Sequence, residues 1–369
     1  MLGPPRDPDH DYEPTATEAR RAWAGVPMPH VAGEPVPAAE APGNIEGFVG
    51  FAQVPLGVAG PLVLVGDVMG EYRVPLATTE GALVASHQRG MRACADGIDV
   101  RILHDGLAVW PTLAFPTVAA AQAAARAVEA DRAGLVAAAE ATTRHGKVQR
   151  LEPRVMGRRL VIELEMHTGD AHGINMVTRA AAAMCARVPG ATQVLLHGFD
   201  VEKRASAWRP RGKHVVAEAV VPRAALERMR TDAGAVVAAW DTYRESFARM
   251  GMRLVAIQPA NGLAALYVAT GQDVAYVAES AVGTLSLEDR GGALYASLDL
   301  PNLHAATVGG GTQKGTAREC LAMIGARSAR ELAGVFAGTL LCGEVSLIAS
   351  FCAGDHVEAH ERLGRNKPG

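Results

Sequence analysis

Apolar and polar positions fall into a few distinct rhythms along the chain. Residues 15–23 carry charges at helical spacing and predict a short helix, and a run of prolines follows. Residues 1–43 therefore read as an N-terminal arm that packs on something else or frays. From 43 to 60 apolar residues are punctuated by Gly and Pro, a pattern of strands and tight turns. Over 78–94 small and apolar residues recur at helical spacing, which predicts a buried helix capped by Thr78 or Thr79. Residues 117–143 are Ala-rich with periodic Val, Leu and Arg, an amphipathic helix. LVIELEMHTGD (160–170) alternates with period two and predicts a strand, with a helix starting near Ala171. HVVAEAVVP (214–222) is another strand, and 223–248 is mostly helical. Residues 261–271 and 318–354 read as apolar helices. Nothing repeats with a fixed period. The mixture predicts an α/β (α+β) protein, and the length allows two domains or one large domain with an insertion.

One stretch is long enough to span a bilayer: LAGVFAGTLLCGEVSLIASFCAG, 332–354. Glu344 sits near its middle and glycines interrupt it, so a buried core helix is expected instead, because a carboxylate at mid-membrane is costly. The N-terminus is polar and Pro-rich, with no apolar segment of a secretory signal. Five cysteines, Cys94, Cys185, Cys320, Cys342 and Cys352, are scattered without a C-x-x-C pair, so neither a disulfide framework nor a zinc–thiolate site is indicated. A reducing cytoplasm fits that usage. The formal net charge is −3, without the basic excess of a nucleic-acid binder. Of 36 basic residues only five are lysine: Lys147, Lys203, Lys213, Lys314 and Lys367.

Several residues invite chemistry, each with a plainer reading beside it. The common nucleotide fingerprints G-x-G-x-x-G and G-x-x-x-x-G-K-[ST] are missing. GGGT (309–312) allows its backbone to approach a phosphate, though such a string is often only a turn. HVEAH (356–360) puts His356 and His360 on one face of a helix, the spacing of a metal pair. No third ligand is apparent, and a solvated terminal helix accounts for it as well. Glu80 lies in the apolar string ATTEGALVAS, where a carboxyl is either a partner of the helix dipole or a buried acid with a raised pKa. Asp273 ends an apolar helix at a Gly, and Lys203 sits in a turn-like stretch. Singly, each reads as structural.

In order, the strings resemble one family. NIEGFVGFAQVPLGVAGPL (44–62), VPLATTEGALVASHQRG (74–90), TGDAHGINMV (168–177), EKRASA (202–207), RGKHVVAEAVVP (211–222), ATGQD (269–273), TVGGGT (307–312) and GEVSLIASFCAGDHVEAH (343–360) are similar to the 3-hydroxy-3-methylglutaryl-coenzyme A reductases. The resemblance runs from about residue 44 to 366. It implies a large domain, 44–110 and 196–369, around a long central helix, interrupted by a small ferredoxin-like cofactor domain at 111–195. It also implies sites shared between two subunits, hence a homodimer or an assembly of dimers. The partners expected are NADPH and a small acyl thioester carried on coenzyme A or a carrier protein. No metal, nucleic acid or membrane is expected, and the cytoplasm is the expected location.

By the same resemblance, Lys203 stabilises the oxyanion that forms as a thioester carbonyl is reduced, a task suited to a compact ammonium. Glu80 donates a proton as aldehyde becomes alcohol, Asp273 tunes that Glu–Lys pair with Asn261 beside it, and His360 protonates the departing thiolate. Asp170, Ala171, Gly173, Asn175 and Met176 match the cofactor loop, and Gly309, Gly310, Gly311 and Thr312 would approach the same cofactor. Thr143 and Arg144 match the pair set against a 2′-phosphate, which favours NADPH over NADH. Arg89, Glu202 and Arg204 fall among the substrate-binding positions.

The departures cluster at the acyl site. Val109 stands where the family has an arginine for the distal carboxylate, and Leu196 and Gly198 stand at a serine and an asparagine. His172 replaces a methionine of the cofactor loop, and Gln258 a histidine. Two expectations follow. Either the acyl pocket is less polar and takes a thioester without a distal carboxylate, or Arg204 or Arg101 supplies the charge and the usual substrate binds. A derivative that no longer reduces is the reading from another class.

Overall fold

The computed structural model describes residues 3–6, 11–199, 201–206, 211–252 and 255–354. The chain begins with α1 (Pro14–Ala24), where Pro occupies a first-turn position that needs no N–H partner. The predicted strands of 43–60 begin only at β1 (Leu56–Gly66), which pairs antiparallel with β2 (Gly70–Ala77). The helix expected from 78 is α2 (Leu83–Ala93), and neither threonine caps it. Ala82 takes φ +67°, in the left-handed region, so Thr78 to Ala82 form a turn that delays the helix. Next come β3 (Ile98–Val109) and β4 (Thr112–Ala114).

The predicted 117–143 helix is divided at Asp131 into α3 (Val118–Ala130) and α4 (Arg132–Glu140), and Thr117 caps the first through Ala120 N. β5 (Lys147–Met156), β6 (Arg159–His167), α5 (Ile174–Cys185) and β7 (Gln193–Leu195) follow. Strands β7, β4, β6 and β5 lie side by side in that order, all antiparallel. With helices between β4 and β5 and between β6 and β7, this is the βαββαβ ferredoxin-like arrangement. Its apolar faces meet in a core that includes Leu113, Phe115, Leu135, Leu164, Val177 and Met184.

β8 (Gly212–Val221), α6 (Arg223–Arg228), α7 (Ala233–Arg249), α8 (Pro259–Thr270), α9 (Val277–Ser280), β9 (Thr284–Arg290), β10 (Ala293–Leu303), α10 (Gly315–Ile324) and α11 (Ala329–Ala353) complete the described chain. The predicted 318–354 helix is thus two helices, separated around Gly325. Strand β3 joins the two cores. Its first half pairs with β8, and Leu107, Ala108 and Val109 pair with β6. The fold class expected from the sequence holds, a helix-rich α+β chain whose sheet is almost wholly antiparallel.

The core of the larger unit wraps α11, which packs on α2, α8, β8, β10 and β3. Among the described residues α11 is the one helix long and apolar enough to cross a membrane, and 94% of its apolar window is buried inside the protein. Gly90 of α2 rests directly on the backbone of Cys342, where a side chain would collide, so the two helices cross in close contact. All five cysteines are free thiols.

Glu344, fully buried in α11, accepts hydrogen bonds from the backbone N–H of Ile257 (2.6 Å) and Gln258 (2.7 Å), which lead into α8. Burial outweighs those two bonds and pushes its carboxyl up to about 7. The folded chain then binds more protons than the unfolded one between the ordinary carboxylate range and about pH 7. Stability from this group is highest below that window and is lost as pH rises through it. Glu344→Gln cannot ionise. From about pH 5 to about pH 8, its unfolding free energy relative to the native chain should rise by up to about 3 kcal/mol. Denaturant melts at both pH values check this, and a difference independent of pH would contradict it.

Candidate active site

The site is organised by the two ends of α8. At its start, Gln258 donates through Nε2 to Gly343 O (2.9 Å), so the buried Glu344 segment anchors the helix entry. Asn261, in the first turn, donates to Gln258 Oε1 (3.4 Å) and, at 3.5 Å, to Glu80 Oε1. Glu80 is exposed on the turn before α2, with its N–H donated to Thr78 Oγ1 (2.9 Å). Of the two readings of Glu80, the buried acid does not hold: the left-handed Ala82 delays α2 and leaves Glu80 exposed on the turn before it.

The other end of α8 is Gly271, which meets Gly311 backbone to backbone. A Cβ on Gly271 would lie 2.5 Å from Gly311 O, and one on Gly311 would lie 2.8 Å from Gly271 O. Gln272 then exchanges two hydrogen bonds with Ala306, both 2.9 Å. Asp273 accepts from Ala275 N (3.0 Å) and pairs with Lys203 Nζ at 2.8 Å. Lys203 has φ +56°, and its N–H donates to Glu279 Oε2 (3.0 Å). Glu279 is buried. Burial opposes its ionisation, but His304 and the Arg211 guanidinium, which donates to both carboxylate oxygens (2.9 and 2.8 Å), hold it below its ordinary value. Arg211 also donates to Ala108 O (2.9 Å), tying the Lys203 segment to β3.

The segments that the resemblance assigns to a cofactor meet at this same end. Asp170 O accepts from Thr307 N (2.9 Å), Asp170 Oδ1 accepts from Ala329 N (2.8 Å), and Ala171 bridges Val308. The 170–176 loop and the GGGT turn are therefore stitched side by side. Thr312 closes the turn on Gly309 O (2.7 Å). Gly173 is the N-cap of α5 and brings no side-chain cap, so the first N–H groups of that helix keep their partial positive charge. Asn175 is exposed there, and Met176 touches Gly146, which brings the Thr143–Arg144 loop against the helix start. Arg144 is exposed, while Thr143 accepts from His145 N and Gly146 N.

Three rings pack between this loop and Lys203. Tyr276 lies 4.2 Å from His172 and 4.6 Å from His304, centroid to centroid, and the two histidines are 4.7 Å apart. Tyr276 donates its hydroxyl to Glu202 Oε1 (2.5 Å), and burial with that carboxylate keeps the phenol protonated. Burial, then the nearby His304, Arg211, Lys213 and Lys203, hold His172 well below its ordinary pKa, so the ring is neutral.

Of the four residues assigned to catalysis, the three that are described, Glu80, Lys203 and Asp273, are not brought together within one chain. Glu80 with Asn261 and Lys203 with Asp273 sit at opposite ends of α8, about 18 Å apart at the rise of an α-helix. His360 and His356 lie outside the described residues.

The residues assigned to the acyl site lie in several different settings. Val109 is fully buried in the smaller core, because β3 turns that face toward β6. Leu196 packs on the same core, and Gly198 fits tightly against Thr112. Arg89 donates to Ser346 Oγ (3.0 Å) and O (2.7 Å), which fastens α2 to α11. Arg101 is paired with Asp99 (2.7 Å) and Asp67 (3.6 Å) near the start of β3. Arg204 is exposed and donates to Glu202 O (3.1 Å). Tyr276, Glu279, Arg211 and His304 were not singled out by sequence. The one signal for Arg211 and Glu279 is a charge of each sign in apolar strings 68 residues apart, which no spacing rule connects.

A model of the hydroxymethylglutaryl-coenzyme A reductase family matches residues 19–365. The chain belongs to this family. The 3-hydroxy-3-methylglutaryl-coenzyme A reductase of Aeropyrum pernix is 37% identical over 344 residues, covering 87% of this chain and 82% of the relative. That of Pyrococcus abyssi is 36% identical over an alignment of 378, covering 95% and 93%. In fold, the chain matches the class II 3-hydroxy-3-methylglutaryl-CoA reductase of Streptococcus pneumoniae, a structure bound to NADPH. The TM-score is 0.75 over 93% of this chain and 98% of that one, at 19% identity. Membership of the reductase family also makes sense of the stitched loops: the strings that carried the resemblance are the ones the fold places against one another.

Proposed function

We propose that this protein is an NADPH-dependent reductase that converts 3-hydroxy-3-methylglutaryl-coenzyme A to mevalonate and coenzyme A. One observation carries the reading. Lys203 is held against Asp273 beside the joined 170–176 and 307–312 loops, so a compact cation stands where a carbonyl and a nicotinamide would meet. The residues present fit the cofactor. The uncapped start of α5 suits a pyrophosphate, and exposed Arg144 suits a 2′-phosphate. Bound NADPH supplies hydride, twice for a thioester taken to an alcohol. The ammonium of Lys203 steadies the carbonyl oxygen as negative charge grows there. Asp273 orients that ammonium, Glu80 gives the oxygen its proton, and His360 protonates the leaving thiolate. Residues 111–195 would form the cofactor-binding module inserted in the catalytic unit 44–110 and 196–369.

Because α8 separates Glu80 from Lys203, the active form in this reading is a two-fold dimer. Glu80 and Asn261 of one protomer complete the Lys203–Asp273 half of its partner. A soluble cytoplasmic dimer accords with the burial of α11. The ordinary acyl group is preferred over one without a distal carboxylate, since the Val109 position has folded into a core rather than into a reshaped pocket.

The test is NADPH oxidation with hydroxymethylglutaryl-coenzyme A, with mevalonate and free thiol quantified. No oxidation, together with no NADPH binding in a fluorescence titration, would favour a derivative that no longer reduces. Arg144→Ala should lower kcat/KM for NADPH about tenfold, the scale of one exposed charge-assisted contact, and leave NADH nearly unchanged. An equal loss for both cofactors would remove Arg144 from the 2′-phosphate.

A further inference from the structure

Tyr276 stands where the segments of the proposed site converge, although no motif contains it. Its ring is buried, at 3% exposure, at the end of the turn that Asp273 caps. The Lys203 ammonium lies 5.0 Å from the ring centroid, within cation–π range, while its charge also meets Asp273. The hydroxyl fixes Glu202, the residue before that lysine. His172, from the cofactor loop, packs on the same ring. Lys203 sits in the left-handed region, with a side chain about 40% exposed, and the ring is its second contact beside the Asp273 ion pair. We propose that Tyr276 is a positioning residue, whose ring holds the Lys203 ammonium in place and makes that placement responsive to the cofactor loop through His172. The inference rests on the reductase reading for its catalytic consequence, but not for the contact itself.

The scarcity of lysine makes the contact directly observable. In protein labelled with 13C at the lysine ε-carbons, five residues give signals, and Lys203→Arg assigns the one that matters. A CH2 beside an aromatic face is shifted upfield. The native protein should show Lys203 upfield of the other lysines. Tyr276→Phe, which keeps the ring, should retain the displacement, and Tyr276→Leu should abolish it. NADPH should move the signal in the native protein and not in Tyr276→Leu. In turnover, Tyr276→Leu should lose about 10- to 30-fold in kcat with KM for the thioester changed less than about threefold, and Tyr276→Phe should recover most of kcat.

A Lys203 signal at the ordinary position in the native protein overturns the proposal without any variant needing to fold. An unmoved signal or unchanged kcat in Tyr276→Leu overturns it too. If the native protein fails to oxidise NADPH, the reductase reading falls, and the spectra still decide whether the ring holds the lysine.

Discussion

Lys203→Ala is expected to lower kcat about 10³-fold while NADPH still binds with near-native affinity, the loss seen when a preorganised oxyanion donor is removed. The backbone supports a committed role for this residue. A side chain other than glycine at φ +56° costs on the order of 1 kcal/mol, and the fold sustains it by tying the Lys203 N–H to the buried Glu279–Arg211 pair. The ammonium is then free to face Asp273. Lys203→Arg should also fail, losing about 10²-fold, because a planar guanidinium cannot place its charge at one point. The chain writes 31 of its 36 cations as arginine, so lysine at this position is not a compositional accident. Single-turnover NADPH oxidation separates chemistry from binding. Lys203→Ala within tenfold of native would move the oxyanion role elsewhere.

The grouping of the candidate residues was partly legible in the sequence, and the illegible parts have physical reasons. The strings TVGGGT and TGDAHGINMV, which the resemblance grouped, fall in loops that the fold joins side by side. Helix α8 and the buried Glu344 were readable from apolar periodicity, although what Glu344 binds was not. The start of α2 was misplaced because one left-handed alanine decides it, and helix propensity does not report a single φ. Position 109 read as a pocket residue by resemblance. Whether it faced a ligand or a core depended on β3 passing from β8 to β6, a property of the assembled sheet. The Arg211–Glu279 pair and the Tyr276 cluster join segments far apart in sequence, and pairings of that kind are set by tertiary packing. The separation of Glu80 from Lys203 follows from the length of α8, which sequence did predict. Its consequence needed both side-chain partners to be placed.

That consequence is the second large effect. Glu80→Gln and Lys203→Ala should each be inactive alone, yet a refolded equimolar mixture should recover about a quarter of the native rate if a two-fold dimer shares its sites. Half of the random dimers are mixed, and in each of these one site pairs the intact Glu80 with the intact Lys203 of the other chain. The companion site holds both lesions and stays silent. Were the two residues to act within one chain, every chain in the mixture would carry a lesion, and no activity would return. The magnitude therefore discriminates as well as the sign, and dilution adds a control: recovered activity should fall as mixed dimers dissociate. Asn261→Ala should behave as a weaker Glu80 lesion and complement Lys203→Ala, whereas Asp273→Asn should behave as a Lys203 lesion and fail to complement it. Four residues at two ends of one helix thereby sort into two complementation groups, each defined by the partner its side chain meets in the fold.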